Sequence, residues 1–203
     1  MTAARYIAFE GVEGCGKSTQ AARLATRLGA VLTRETGGTM IGQQLRQVLH
    51  DPANTHLDAV AEALMIAADR AQHRAEVVEP ALAAGRMVVS DRSVWSSLAY
   101  QGFGRDLPLD TVRAVNDWAL QGRWPQLVIL LDIDAEVAGE RLRERDLDRF
   151  EREDAAFFER VTKGFRSLAA RNPDTWVIVD ASGDVDGVEE AVWQCLVGRG
   201  EAS

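Results

Sequence analysis

With 203 residues the chain is long enough for one well-buried domain and short for two. Its formal net charge of −8 argues against a general nucleic-acid binder, which must neutralise phosphates, and no apolar run reaches the roughly 20 residues of a membrane helix. Cys15 and Cys195 by themselves make neither a disulfide framework nor a zinc site, and the N-terminus lacks the basic start and apolar run of a signal peptide. A soluble cytoplasmic protein is expected, with no membrane and no nucleic-acid partner.

The pattern opens with a short buried strand at Tyr6-Ile7-Ala8-Phe9, followed at once by a glycine-rich turn. Lys17 to Leu28 reads as a helix with Ala21, Leu24, Ala25 and Leu28 on one face. A second strand covers Ala30 to Thr33, and Gly37-Gly38 separates it from a helix over about Ile41 to Leu49, stopped near Pro52. A long helical pattern runs from about Leu57 to Ala84. Met87-Val88-Val89 is a third strand leading into Ser90-Asp91-Arg92. Leu127 to Asp132 is a fourth, apolar on both faces as an interior parallel strand requires, and Trp176 to Val179 is a fifth. Helical patterns fill the gaps at about Leu109–Gln121, Ala135–Arg145, Ala155–Ala170 and Val185–Val197. Strands alternating with helices predict an α/β fold, a mostly parallel five-stranded sheet flanked by helices, in a single domain over 1–203.

Gly11-Val12-Glu13-Gly14-Cys15-Gly16-Lys17-Ser18 matches G-x-x-x-x-G-K-[ST] and falls between a predicted strand and a predicted helix, as a phosphate-binding loop must. The glycines let the backbone wrap phosphates and Lys17 reaches the β/γ-phosphates. The Ser18 hydroxyl ligates Mg²⁺, and the next helix, including Thr19, offers its positive N-terminus. Only Lys17 and Lys163 are lysine among 23 basic residues, so the lysine at position 17 stands out from an arginine-rich background. Cys15 reads as a small residue at a tolerant loop position. The loop predicts a nucleoside triphosphate, with ATP and Mg²⁺ as cofactors. No asparagine precedes a lysine, so the guanine-reading N-K-x-D string of GTPase switches is absent.

Further segments follow in order: Phe9-Glu10-Gly11-Val12-Glu13-Gly14, Thr33-Arg34-Glu35-Thr36-Gly37-Gly38-Thr39, Ala67-Ala68-Asp69-Arg70, Asp91-Arg92 with Ser96-Ser97-Leu98-Ala99-Tyr100-Gln101-Gly102, and Asp148-Arg149-Phe150-Glu151. Together they resemble bacterial thymidylate kinases, P-loop nucleoside monophosphate kinases that phosphorylate dTMP with ATP, over about residues 5 to 190. Read physically, Asp91 ends a buried strand at the carboxyl edge of the sheet, where its carboxylate can hold Mg²⁺ and Arg92 can clamp a phosphate with its planar fork. The resemblance implies that Arg46 and Arg92 hold the dTMP phosphate, that Arg70 bonds the thymine O4, and that Glu13 meets the acceptor 3′-hydroxyl. It adds Ile66, Ser97, Tyr100 and Gln101 to the acceptor site, places Arg141 beside the adenine, and implies a homodimer.

Arg141, Arg143, Arg145, Arg149 and Arg152 crowd one mixed-charge segment. Taken alone this is a solvated helix and loop; the alternative is a lid, at about 142–153, whose arginine closes on the transferring phosphoryl group. The phosphate loop has no arginine at its variable positions, and the family subtype with that lack carries the catalytic cation in the lid. The match falls on Arg145, with Arg149 and Arg143 as alternatives because the segment is one residue shorter than the usual pattern. Two departures bear on the acceptor. Thr36 stands where the family usually has a proline, often after a cis bond, and a trans peptide is expected before threonine. Ile66 replaces a phenylalanine that stacks on thymine, which weakens the grip on the base by roughly 1 kcal/mol. The expected reaction is therefore phosphoryl transfer from MgATP to dTMP, the alternatives being another pyrimidine deoxynucleotide such as dUMP or a 5-substituted dUMP, or an ATP-binding regulator without turnover.

Overall fold

The computed structural model describes residues 5–142 and 148–200. Its strands are β1 (Tyr6–Glu10), β2 (Val31–Arg34), β3 (Val88–Asp91), β4 (Leu127–Asp132) and β5 (Trp176–Asp180). They form one parallel sheet in the order β2-β3-β1-β4-β5. The helices are α1 (Lys17–Leu28), α2 (Met40–His50), α3 (Ala59–His73), α4 (Glu79–Ala83), α5 (Val94–Ser97), α6 (Leu109–Leu120), α7 (Ala135–Leu142), α8 (Ala155–Arg171) and α9 (Val185–Gly198). The central strands β1 and β4 are apolar on both faces because helices cover both sides, and Ile7, Phe9, Val128 and Ile129 are wholly buried.

Local chemistry sets the helix ends. The Thr39 hydroxyl accepts from Gly42 N at the start of α2, and the Asp58 carboxylate accepts from Val60 N and Ala61 N at the start of α3. The helical pattern expected over Leu57–Ala84 is α3, a π-helical turn at Arg74–Val78, and α4. Pro80 has no N–H to return to Glu76, and the widened turn closes instead through Glu79 N donating to the Arg74 carbonyl.

One helical segment went unread in the sequence: α5, continued by a π-helical turn over Leu98–Gly104. Its serines and two glycines disguise it. Gly104 is there for packing, since a Cβ on it would come within 2.7 Å of the Phe157 ring on α8. This turn carries the Tyr-Gln-Gly block to the carboxyl edge of the sheet. Register puts Asp91 beside Phe9 on one side and Arg34 on the other, so the ends of β1, β2 and β3 meet at one place.

Candidate functional site

The phosphate loop leaves β1 at Glu10 and enters α1 at Lys17. Gly14 has φ 80°, and a Cβ there would lie 2.6 Å from the Ala138 carbonyl oxygen, so only glycine lets the loop pass beneath α7. Gly16, also left-handed, precedes α1, and no side chain caps that helix. Its first amides are left for an anion. Lys17 folds back inside the loop, its Nζ donating to Val12 O at 2.7 Å and lying 3.6 Å from Cys15 Sγ. The Ser18 hydroxyl donates to Asp91 Oδ2 at 2.5 Å. A hydroxyl and a carboxylate oxygen thus sit side by side at the loop's mouth, a hard-oxygen pair that suits Mg²⁺.

The loop opens onto a cavity of about 290 Å³ whose lining includes Glu13, Lys17, Ser18 and Asp91 at one end. Arg34, Arg46 and Arg92 line it too. Arg92, at φ 70° just beyond β3, is held from every side. Its guanidinium donates to Gly11 O, Ser96 Oγ, Tyr100 OH and Glu13 Oε1, the last at 2.6 Å. Burial works against its charge, but Tyr100, Glu13, Asp91 and Glu10 outweigh burial and raise its pKa. Arg46 is the reverse case: burial, with Arg34 and Arg92 nearby, pushes its pKa down to about 10. It donates to the Thr36 carbonyl at 3.2 Å and makes no ion pair among the described residues. Arg46 thus lies beside two other cations without a carboxylate partner of its own among the described residues, an arrangement suited to an anion such as phosphate.

The same cavity is lined by Leu49, Ile66, Tyr100 and Phe150, and by Ser97 and Gln101. Gln101 Nε2 donates to Glu62 Oε1 at 2.8 Å. Glu62 also accepts from Arg105 and Arg149, so the Gln101 amide turns its NH₂ to that carboxylate and leaves its oxygen for another donor. Ser97 Oγ accepts from Arg70 Nη1 at 2.9 Å.

A sequence model of the thymidylate kinase family matches residues 9–192. The chain belongs to the thymidylate kinase family. It is 45% identical over 194 residues to the thymidylate kinase of Desulforudis audaxviator, covering 93% of this chain and 88% of that one. It is 41% identical to that of Halothermothrix orenii, with 95% and 96% covered. The crystal structure of the thymidylate kinase from Ehrlichia chaffeensis superposes with a TM-score of 0.79 at 29% identity, over 96% of this chain and 98% of that one. The five-stranded parallel sheet is thus that of the P-loop nucleoside monophosphate kinases.

Several thymidylate-kinase motif residues take places the sequence did not foresee. The Glu35–Thr36 peptide is cis, not trans. The loop is gripped on both flanks, by Arg46 donating to Thr36 O and by Gly37 N donating to Asp69 Oδ1, which together hold this path of the backbone. Arg70, expected at the base, does not line the cavity; it lies buried and bonded to Ser97. Its Nε donates to Glu35 Oε2 at 2.7 Å and its other donors go to Ser97, Asn116 and the Ser93 carbonyl. A buried cation demands that much. Arg149 is buried as well, donating to Glu62 Oε2 at 2.5 Å and to Leu49 O, and it does not line the cavity. Arg143 and Arg145 lie outside the described residues. Arg141 donates to the carbonyls of Gly14, Ala181, Ser182 and Gly183, tying the phosphate loop to the loop after β5.

Sequence reasoning missed three residues. Arg34 is an exposed cation at the end of β2, legible only once register places it beside Asp91. Glu10 is wholly buried, accepts from Ser93 N, Ser93 Oγ and Ser96 Oγ, and so fastens the phosphate-loop strand to the segment bearing Arg92. Burial raises its pKa to about 7 against the opposing serine bonds and cations. His50 ends α2 at the cavity rim, with nothing in its local sequence to mark it.

Proposed function

We propose that this chain transfers the γ-phosphoryl group of ATP to dTMP, yielding ADP and dTDP. The observation that carries the reading is a single cavity lined by Lys17, Ser18 and Asp91 and also by Arg34, Arg92 and Arg46, the last with no ion pair among the described residues. One nucleotide bound at each end brings donor and acceptor phosphates together. The loop amides of residues 11–16, Lys17, Ser18 and Thr19 hold the donor, and Arg141 flanks its base. Ser18 and Asp91 would hold Mg²⁺, which supplies charge neutralisation on the donor phosphates. Arg46 and Arg92 grip the acceptor phosphate, and Glu13, braced by Arg92 and Tyr100, faces the acceptor sugar. Ser97 and the fixed amide oxygen of Gln101 meet the base edge, with Arg70 orienting Ser97. No general base is required, because the attacking phosphate oxygen is already anionic; catalysis is alignment and electrostatics. Arg145, with Arg143 as the alternative, supplies the cation for the transferring group, Arg149 being bonded to Glu62.

We place the enzyme in the cytoplasm with its nucleotide substrates, as a homodimer. No helix among the described residues is long and apolar enough to cross a membrane. An exposed apolar face runs over Met40, Ile41 and Val48 of α2, Val60 and Leu64 of α3, and Trp118 of α6, with α2 packed on α3 and α3 on α6. A second copy would cover it. Sedimentation tests this, and a monomer at micromolar concentration overturns it. The activity is tested by ADP release from MgATP across a panel of nucleoside monophosphates. Turnover should be greatest with dTMP; no turnover with any of them rejects the reading.

A further inference from the structure

His50 enters the cavity from the last turn of α2, one helical turn beyond Arg46 and therefore on the same face. Its Nδ1 lies 2.6 Å from Asp148 Oδ2, and its ring packs against Phe150 at 5.2 Å between centroids. Asp148 is itself fixed, its Oδ1 accepting from the amides of Phe150 and Glu151 at 2.9 Å. Burial works against its ionisation, but the His50 contact and these amides win and lower its pKa. An ionised carboxylate can only accept, so Nδ1 carries the hydrogen. Nε2 is then the nitrogen that can change. It lies 3.5 Å from Thr36 Oγ1, the same hydroxyl that lies 3.5 Å from Arg46 Nη1.

The surrounding charges decide its state. Arg46 on α2, Arg34 at the end of β2 and Arg92 after β3 face the cavity with it. Asp148 and Glu151 face it from the segment that packs over α2, as does Asp91 from β3. Arg149 N donates to the His50 carbonyl, but its guanidinium is neutralised by Glu62. Burial comes first, and Arg46 and Arg92 add to it; together they outweigh Asp148 and hold the imidazole below its ordinary pKa. A phosphate dianion against Arg46 and Arg92 offsets their repulsion and adds its own attraction for the imidazolium to that of Asp148, against the burial that remains.

We propose that His50 is a further acceptor-phosphate residue, and that it takes up a proton at Nε2 when a nucleoside monophosphate dianion docks against Arg46 and Arg92. The imidazolium then donates Nε2–H toward the bound anion while Asp148 holds the ring in place. This deepens the kinase reading at its own site and specifies the ligand as a phosphate monoester.

The test is calorimetric titration of the full-length protein with dTMP at pH 7, in phosphate-free buffers of differing ionisation enthalpy. Should the activity panel select a different monophosphate, that nucleotide is the titrant, so a wrong base assignment leaves this test intact. Uptake of roughly half a proton is expected for a histidine that crosses neutrality. The ligand gives the opposite sign, because its own second ionisation near pH 6 makes binding as a dianion release protons. His50→Gln keeps an amide to face Asp148 but cannot titrate. It should abolish the uptake and raise the KM for dTMP about tenfold at pH 6.5, with a smaller rise at pH 8.5 and little change in kcat. A merely structural role moves KM equally at both pH values and leaves the proton count unchanged. Binding by the wild-type protein without net uptake overturns the proposal, as does uptake that persists in the variant.

Discussion

The phosphate loop and the acceptor pocket face each other across one cavity, yet residues 11–18 alone supply the first, while β2, α2, α3, β3, α5 and the 148–151 segment all contribute to the second. The loop works mainly through backbone: glycine conformations, helix amides, and one lysine whose reach is set by its neighbours. The pocket works through side chains held by long-range bonds, such as Arg149 to Glu62 across 87 residues and His50 to Asp148 across 98. A local device tolerates change around it but no change within it. A distributed one can lose a single member and keep its remaining contacts.

Lys17→Ala breaks the comparison at its hardest point. It should lower kcat by about a thousandfold, the cost of removing a positioned donor in phosphoryl transfer, while leaving dTMP binding within about twofold. Steady-state rates with calorimetry of dTMP binding check both halves; equal damage to acceptor binding would mean the two ends are not separable.

Glu10 tests the seam between them. Its carboxyl has its pKa raised to about 7 by burial, so the folded state binds that proton more tightly than the unfolded chain does. Its contribution to stability is therefore greatest below the unfolded value of 4.5 and declines as pH rises from there to about 7. Glu10→Gln does not titrate and should remove that decline, shifting the difference from wild type by up to about 3 kcal/mol across the window. Urea unfolding between pH 4.5 and 8 measures it. A constant difference across that range would show that Glu10 stays ionised throughout.

The smallest effect is on the pocket wall. Ile66→Phe should restore an aromatic face and improve the KM for dTMP about fivefold, equivalent to about 1 kcal/mol of stacking. Stability should change little if the cavity beside Leu49 and Phe150 accepts the ring. A loss of affinity would mean that Phe150 already occupies that space.

The phosphate loop, the five strands and nearly all the helices were legible because each is encoded within a few neighbouring residues. α1 and β4 begin and end where the pattern of apolar residues puts them. The segment at 94–104 was not, because its glycines answer to Leu109 and Phe157 rather than to a local period. Resemblance marked Arg46 and Arg92 as phosphate ligands; the structure adds that Arg34 and Arg92, from other elements, lie close enough to Arg46 to help burial push its pKa down to about 10. Sequence determined the phosphate-loop motif and the family, since a backbone loop and an ordered set of motifs are local facts. Only the tertiary structure decided which arginines line the cavity. Arg70 and Arg149 carry the same guanidinium as Arg46, but burial against Glu35 and Glu62 commits them to the protein itself.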